Sequence, residues 1–302
     1  MTDSLSLSLW AVNMAEVPSD RHAWLQRVEA ALLEAKAAGS SLLVMPEYVS
    51  EIWLPYCEPE ANVNVEVATM AKEGAAQLPL LQELVDKTGI ALLAGTWPAA
   101  VEEGYLNRAH FLVPGRKDPI IHDKLALLRS EKDPEGWFLG VGHEVRPFTW
   151  NGLTCAMLIC LDVELPAVSA RLAREVPDLD LLLVPSYTSF LSGYSRVFGC
   201  AKARAVELFT CVAAVGCVGT TPLDPPRDNT SGAAVFLPCE PELGFDGRFA
   251  DTGVFKETEG AGPLLHVRDI PIKEIRRLRR EGAEVWPGAW SDEQLTVTPK
   301  QS

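Results

Sequence analysis

Cys-x-x-Cys pairs are missing from this sequence, although seven cysteines are spread along it (Cys57, Cys155, Cys160, Cys200, Cys211, Cys217 and Cys239). An odd number without paired spacing argues against a disulfide framework or a zinc site and suits a reducing compartment. Also lacking is any apolar run near the ~20 residues of a membrane span. The N-terminal Met-Thr-Asp-Ser-Leu-Ser has neither the basic start nor the long apolar core of a secretory signal. Together these absences predict a cytoplasmic protein. Basic residues are scarce: 27 Lys and Arg stand against 41 Asp and Glu, a formal net charge of -14. Nucleic-acid and anionic-membrane surfaces need clustered positive charge, so no nucleic-acid or membrane partner is expected. The one basic cluster, Lys273 to Arg280, carries Ile275 and Leu278 at helical spacing and reads as a solvated helix face. Gly and Pro are scattered rather than concentrated, which excludes collagen and low-complexity chains. With 47% hydrophobic residues, the 302-residue chain can bury one large core or two small ones.

What is present alternates. Leu5 to Val12 reads as a strand. Trp24, Val28, Ala31, Leu32 and Ala35 then recur at helical spacing after the N-cap candidates Ser19 and Asp20. A buried strand from Ser41 to Met45 stops at Pro46-Glu47-Tyr48. Glu58 to Asn64 is polar and loop-like; Val65 to Lys87 has a helix pattern interrupted near Pro79, and Ile90 to Gly95 is an apolar strand. Tyr105 to Val113 and Ile120 to Lys124 read as strands around a turn at Pro114 and Gly115. Leu125 to Val145 has no regular period, and a loop of that length inside a domain is usually functional. Asn151-Gly152 joins two strands as a hairpin turn. Pro166 to Arg174 and Val197 to Phe209 read as helices. Leu181 to Val184 is an apolar strand ending at Pro185; Thr210 to Gly216 and Gly232 to Leu237 complete a sheet. No composition shift marks a domain boundary, so the domain is placed at 1–284, with 285–302 as a C-terminal extension. Strands alternating with helices, with hairpins mixed in, predict an α/β fold with mixed sheets, whose number the pattern leaves open.

Three polar residues stand at strand exits that are otherwise apolar: Glu47, Lys124 and Cys160. Singly, each has an ordinary explanation, as a turn cap, a solvated lysine and a small core residue. Together they make a reaction centre. A carboxylate takes the thiol proton, the thiolate attacks a carbonyl or nitrile carbon, and an ammonium stabilises the oxyanion. His122 lies on the same strand face as Lys124 and is a rival base. The local signatures of a Cys/His protease are absent, however.

The segments around these residues, Met-Pro-Glu-Tyr, His-Asp-Lys-Leu and Ile-Cys-Leu-Asp-Val-Glu-Leu-Pro, resemble the nitrilase superfamily of carbon-nitrogen hydrolases from about Leu5 to Ile275. The resemblance implies a four-layer αββα sandwich with two stacked mixed β-sheets and a homodimer or higher homo-oligomer; no cofactor or metal is expected. Carried over by position, it makes Glu47 the general base, Lys124 the oxyanion-stabilising lysine, Cys160 the nucleophile and the Leu161 N–H an oxyanion donor. Tyr48 and Glu164 fall where the pocket is lined. A second family glutamate lies on the loop after the lysine. Glu131 better fits its distance from the lysine, whereas Glu135, followed by Gly136-Trp137-Phe138, better fits what comes after, and Glu135 is preferred. Arg204 and Glu207, three apart on one helix, read as a structural ion pair.

This chain departs from many relatives at Leu161, Glu164, Leu165 and Ala167, which concern the pocket more than the centre. Leu161-Asp162 resembles the amide and carbamoyl hydrolases, which tend to carry Asp where nitrile-attacking relatives carry Glu. The expected function is therefore hydrolysis of a small-molecule amide or carbamoyl C–N bond through a thioester. Nitrile hydrolysis or acyl transfer is the alternative, and a non-catalytic binding protein the distant one. The acidic Glu51 and Glu164 suggest a cationic amide.

Overall fold

The computed structural model describes residues 3–57, 63–284 and 295–298, apart from the side chains of 63 and 64. The first half runs β1 (Leu5–Trp10), α1 (Arg21–Ala37), β2 (Leu42–Val44), α2 (Leu54–Cys57), α3 (Val63–Thr88), β3 (Ala91–Ala100), β4 (Tyr105–Leu112) and β5 (Ile120–Asp123). The second runs α4 (Arg129–Lys132), β6 (Phe148–Trp150), β7 (Leu153–Met157), α5 (Pro166–Glu175), β8 (Leu181–Ser186) and α6 (Leu191–Glu207). It continues with β9 (Cys211–Gly216), β10 (Gly219–Thr221), β11 (Arg227–Asn229), β12 (Ala233–Phe236), β13 (Arg248–Asp251), β14 (Leu264–Ile270) and α7 (Ile272–Glu281).

Two six-stranded sheets result, ordered β14-β1-β2-β3-β4-β5 and β13-β12-β9-β8-β7-β6. Each is built alike. A parallel trio (β1, β2, β3 in one; β7, β8, β9 in the other) is flanked on both sides by antiparallel strands. Alternation along the strands sets the layers. Leu5, Leu7, Leu9, Leu42, Val44, Leu93 and Phe111 join the strands of the second sheet in one continuous core. The intervening Leu43, Leu92 and Ala94 face the other way, onto Trp24, Val28 and Leu32 of α1 and Leu81 and Val85 of α3. Leu172 of α5 and Val197, Phe198, Ala201 and Ala205 of α6 cover the far side of the second sheet. The fold is thus a four-layer αββα sandwich, as expected.

The local signals explain most boundaries. Asp20 caps α1 by accepting from the Ala23 N–H at 2.8 Å. Asn151 and Gly152 both adopt positive φ (50° and 72°), the turn that matches the twist of a two-residue hairpin between β6 and β7. Two expected breaks are absent. Strand β8 runs on through Pro185 to Ser186, because β7 has already ended opposite Leu183. There a missing N–H forfeits little. Helix α3 continues past Pro79, with Leu81 and Val85 beyond it buried on the first sheet. The basic cluster on α7 is not simply solvated. Arg276 donates to Asp180 at 2.6 and 2.9 Å, and Arg279 donates to the carbonyls of Leu179 and Phe209, tying the helix to the second sheet. No helix among the described residues is long and apolar enough to cross a membrane. The polar stretch at 58–62 and all of the extension at 285–302 except 295–298 lie outside the described residues.

Candidate active site

The three strand exits meet at the seam between the sheets. Glu47 follows β2 and Lys124 follows β5 in the first sheet, while Cys160 follows β7 in the second. Gly95 makes the approach of Glu47 possible: it holds φ +73°, and a Cβ there would lie 2.2 Å from the Pro46 carbonyl oxygen. Cys160 stands three residues beyond the end of its strand, at the head of a short 3-10 turn (Cys160–Glu164), with φ +47°. A left-handed conformation at a non-glycine residue stores strain, and such strain concentrates where a side chain must be aimed. Arg204 holds this turn through an Nε–H bond of 3.0 Å to the Val163 carbonyl, and Glu207 pairs with the same guanidinium at 2.5 Å. The structural reading of that pair holds.

Lys124 organises the charges. Its Nζ lies 2.8 Å from Glu47 Oε1 and 2.8 and 2.9 Å from the two oxygens of Glu131, all three side chains being buried. The preference for Glu135 is corrected here: Glu135 is exposed on the loop, and it is Glu131 that meets the lysine. The reason is local. Helix α4 is a single turn that lets Glu131 accept from the Leu128 N–H at 2.6 Å, so the loop folds back onto Lys124. The aromatic that favoured Glu135 is also in place, because Trp137 packs edge-on against Tyr48 at 4.7 Å. Tyr48 in turn donates its hydroxyl proton to Glu131 at 2.5 Å.

Burial pushes the Glu47 carboxyl up; Lys124 pulls it back, Glu131 pushes it further, and it stands at about 7. Burial alone would discharge Lys124, but Glu47 and Glu131 outweigh it and keep the ammonium charged. Burial, reinforced by Glu47 and only partly offset by Lys124, raises the Cys160 thiol well above its ordinary value. The resting sulfur is therefore protonated, and it donates to the Tyr187 carbonyl at 3.6 Å, with Glu47 close enough to raise it further.

A cavity of about 810 Å³ opens over these groups, lined among others by Glu47, Tyr48, Lys124, Glu131, Cys160 and Leu161. Glu51 and Glu164 also line it, but both are already paired. Glu51 accepts from Tyr187 at 2.9 Å and lies 3.1 Å from Arg227, and Glu164 accepts from Arg196 at 3.0 Å. The ground for a cationic substrate is removed accordingly. Arg227 also pairs with Glu66 at 2.7 Å and lies over the Trp137 ring, so α3, the long loop and β11 are joined at the cavity mouth.

Three features escaped the sequence reading. Asn107 of β4 donates to Glu47 at 2.9 Å; it shares a strand face with Ala109 and Phe111, and a polar residue on a core face was the available signal. Asp162, read only as a substrate marker, accepts from the N–H groups of Leu125, Ala126 and Ile159 at 3.0, 2.8 and 3.1 Å. It thereby fastens the chain after Lys124 to the chain before Cys160. The rival base His122 stands 3.5 Å from Asp162 and lies outside the lining of the cavity that holds Cys160. The Arg227, Glu51 and Glu66 cluster draws on distant segments and has no local signature.

Comparison with known proteins gives a consistent picture. A family model described as Carbon-nitrogen hydrolase matches residues 10–237. The sequence is 26% identical over 251 residues to "Probable hydrolase YhcX" of Bacillus subtilis (strain 168), covering 82% of this chain and 46% of that protein. The chain thus spans about half the length of this relative. Among solved structures it is similar in fold to an amidase from Nesterenkonia sp. (TM-score 0.67, 22% identity, 91% of this chain and 94% of that one). A double mutant of the Nesterenkonia sp. AN1 amidase in complex with acrylamide gives a TM-score of 0.64 at 21% identity, again over 91% and 94% of the two chains.

Proposed function

The chain belongs to the carbon-nitrogen hydrolase family, and from that premise we propose that it hydrolyses the C–N bond of a small-molecule amide or carbamoyl compound through a Cys160 thioester. The observation that carries this reading is Lys124 held at 2.8 Å by both Glu47 and Glu131 in the wall of the cavity that contains Cys160.

In the first half-reaction the Cys160 thiol proton passes to Glu47 as the sulfur bonds to the substrate carbonyl carbon. The oxygen then carries the charge, and the Lys124 ammonium and the Leu161 N–H are its donors. As the tetrahedral species collapses, the C–N bond breaks and the amine leaves with the proton that Glu47 had taken. In the second half-reaction Glu47 takes a proton from water, the hydroxide adds to the thioester, and the acid leaves as the sulfur recovers its proton. Glu131 fixes the lysine throughout. Keeping one ammonium between two carboxylates avoids an unpaired buried ion.

The cavity, at about 810 Å³, is near the upper end of the ~300–1,000 Å³ range of small-molecule sites. The acrylamide and butyramide complexes of the Nesterenkonia sp. AN1 amidase, a protein similar in fold, support an amide as the class of substrate. Intact-mass detection of an acyl adduct on Cys160 across amides, carbamoyl compounds and nitriles tests the reading. An adduct from amides that is lost in Cys160→Ala, with the fold retained, is the expected outcome. Unchanged amide hydrolysis by Cys160→Ala would sink the mechanism, and faster acylation by nitriles would replace the substrate class.

A further inference from the structure

We propose that Asn107 is a positioning residue for the reaction, holding one oxygen of Glu47 so that the other is left to take the thiol proton; the inference rests on the reading of Glu47 as the base. The side chain of Asn107 is fully buried and does not line the cavity, so it acts through Glu47 rather than on substrate. Its Nδ2 donates to Glu47 Oε1 at 2.9 Å, and Lys124 Nζ donates to the same oxygen at 2.8 Å. The backbone closes the unit, since the Lys124 N–H donates to the Asn107 carbonyl at 2.9 Å.

Two donors on one oxygen make the carboxylate asymmetric. Oε1 is engaged from the side of the first sheet, and the other oxygen, free of these two donors, is the one the proposal assigns to the thiol proton. A carboxamide suits this task better than a second cation, because it orients the carboxylate without adding the positive charge that would weaken it as a base. The arrangement also has a cost. Asn107 Oδ1 is buried with no hydrogen-bond partner, on a strand face otherwise occupied by Ala109 and Phe111. A leucine would fill that position without an orphan oxygen, so packing gives no reason for the amide. Its contact with Glu47 does.

A donor to the ionised form favours that form, so removing it raises the pH at which Glu47 becomes a base. Iodoacetamide reads this without knowledge of the substrate. The Cys160 Sγ–C bond forms, iodide leaves, and the thiol proton passes to Glu47. Labelling of Cys160 in the full chain, located by peptide mass, is followed against pH for the wild type, Asn107→Leu and Asn107→Asp, with thermal melts as the control for folding. The acid limb is expected to move up by about one pH unit in Asn107→Leu, about tenfold slower labelling on the limb with an unchanged alkaline plateau. Asn107→Asp exchanges the donor for a carboxylate and moves the limb at least as far. Should Asn107→Leu not fold, Asn107→Ser replaces it with the same expected direction. An unmoved limb overturns the proposal, and so does a lowered plateau without a shift, which is what a purely structural role would give. Glu47→Gln separates the two readings: if it labels with the wild-type profile, the base assignment itself falls.

Discussion

Lys124 shows how much can rest on one side chain. Replacing it with Met leaves Glu47 and Glu131 buried together without a cation. Breaking a buried ion pair in this way costs about 3–5 kcal/mol. Urea denaturation of Lys124→Met is therefore expected to show that loss, along with loss of turnover. The two loop glutamates make the complementary prediction: Glu131→Gln reduces kcat by about a hundredfold or more, in the range of other displaced electrostatic groups, whereas Glu135→Gln, being exposed, stays within about twofold. A steady-state comparison decides it. The proposed mechanism also carries a pH dependence. On the proposed mechanism Glu47, pushed up to about 7, must be ionised to act, so kcat/KM is expected to fall as pH drops through that value; a limb near the ordinary carboxylate range would contradict this. At this scale the sequence identified Glu47, Lys124 and Cys160 as candidates because each is a polar exception at an apolar strand end. It preferred Glu135 to Glu131, because the following aromatics were weighed above the spacing, and the fold-back at Leu128 reverses that choice.

Elements carry these side chains to one place, and the turns between elements decide whether they arrive. The hairpin at Asn151 and Gly152 was readable because two consecutive positive φ angles demand those residue types. Gly152→Ala should cost about 1 kcal/mol, read as a shifted urea midpoint. Asp162 is the stronger joint. Asp162→Ala would leave the N–H groups of Leu125, Ala126 and Ile159 without their acceptor. Each buried unsatisfied group costs about 1–3 kcal/mol, and both stability and kcat are expected to fall. Unchanged stability in that variant would show that water replaces the clamp. The clamp was not legible, because a carboxylate two residues after a cysteine looks the same in sequence whether it faces a substrate or a backbone.

Across the whole molecule, strand and helix alternation made the α/β class legible, but pairing between sheets is a long-range matter that no local pattern encodes. Pro185 illustrates the limit: it reads as a strand end, and it is tolerated inside β8 because a neighbouring strand has already stopped. Global stability has its own pH signature. Burial and the nearby Arg108 pull the His110 imidazole down from 6.5 to about 3. Between those values the unfolded chain binds a proton that the folded chain does not. Stability therefore falls as pH drops below 6.5, by at most about 1.4 kcal/mol per pH unit from this group. His110→Phe keeps a ring stacked on Trp97, 3.8 Å away in the wild type, and should flatten that slope in urea titrations at pH 5 and 7.

The seam between the sheets has a kinetic meaning as well. Glu47 and Lys124 come from one sheet and Cys160 from the other, so the centre exists only once the two sheets have met. Recovered turnover during refolding is then a clock for the meeting of the halves, and it should lag behind the far-ultraviolet dichroism that reports the strands and helices of each.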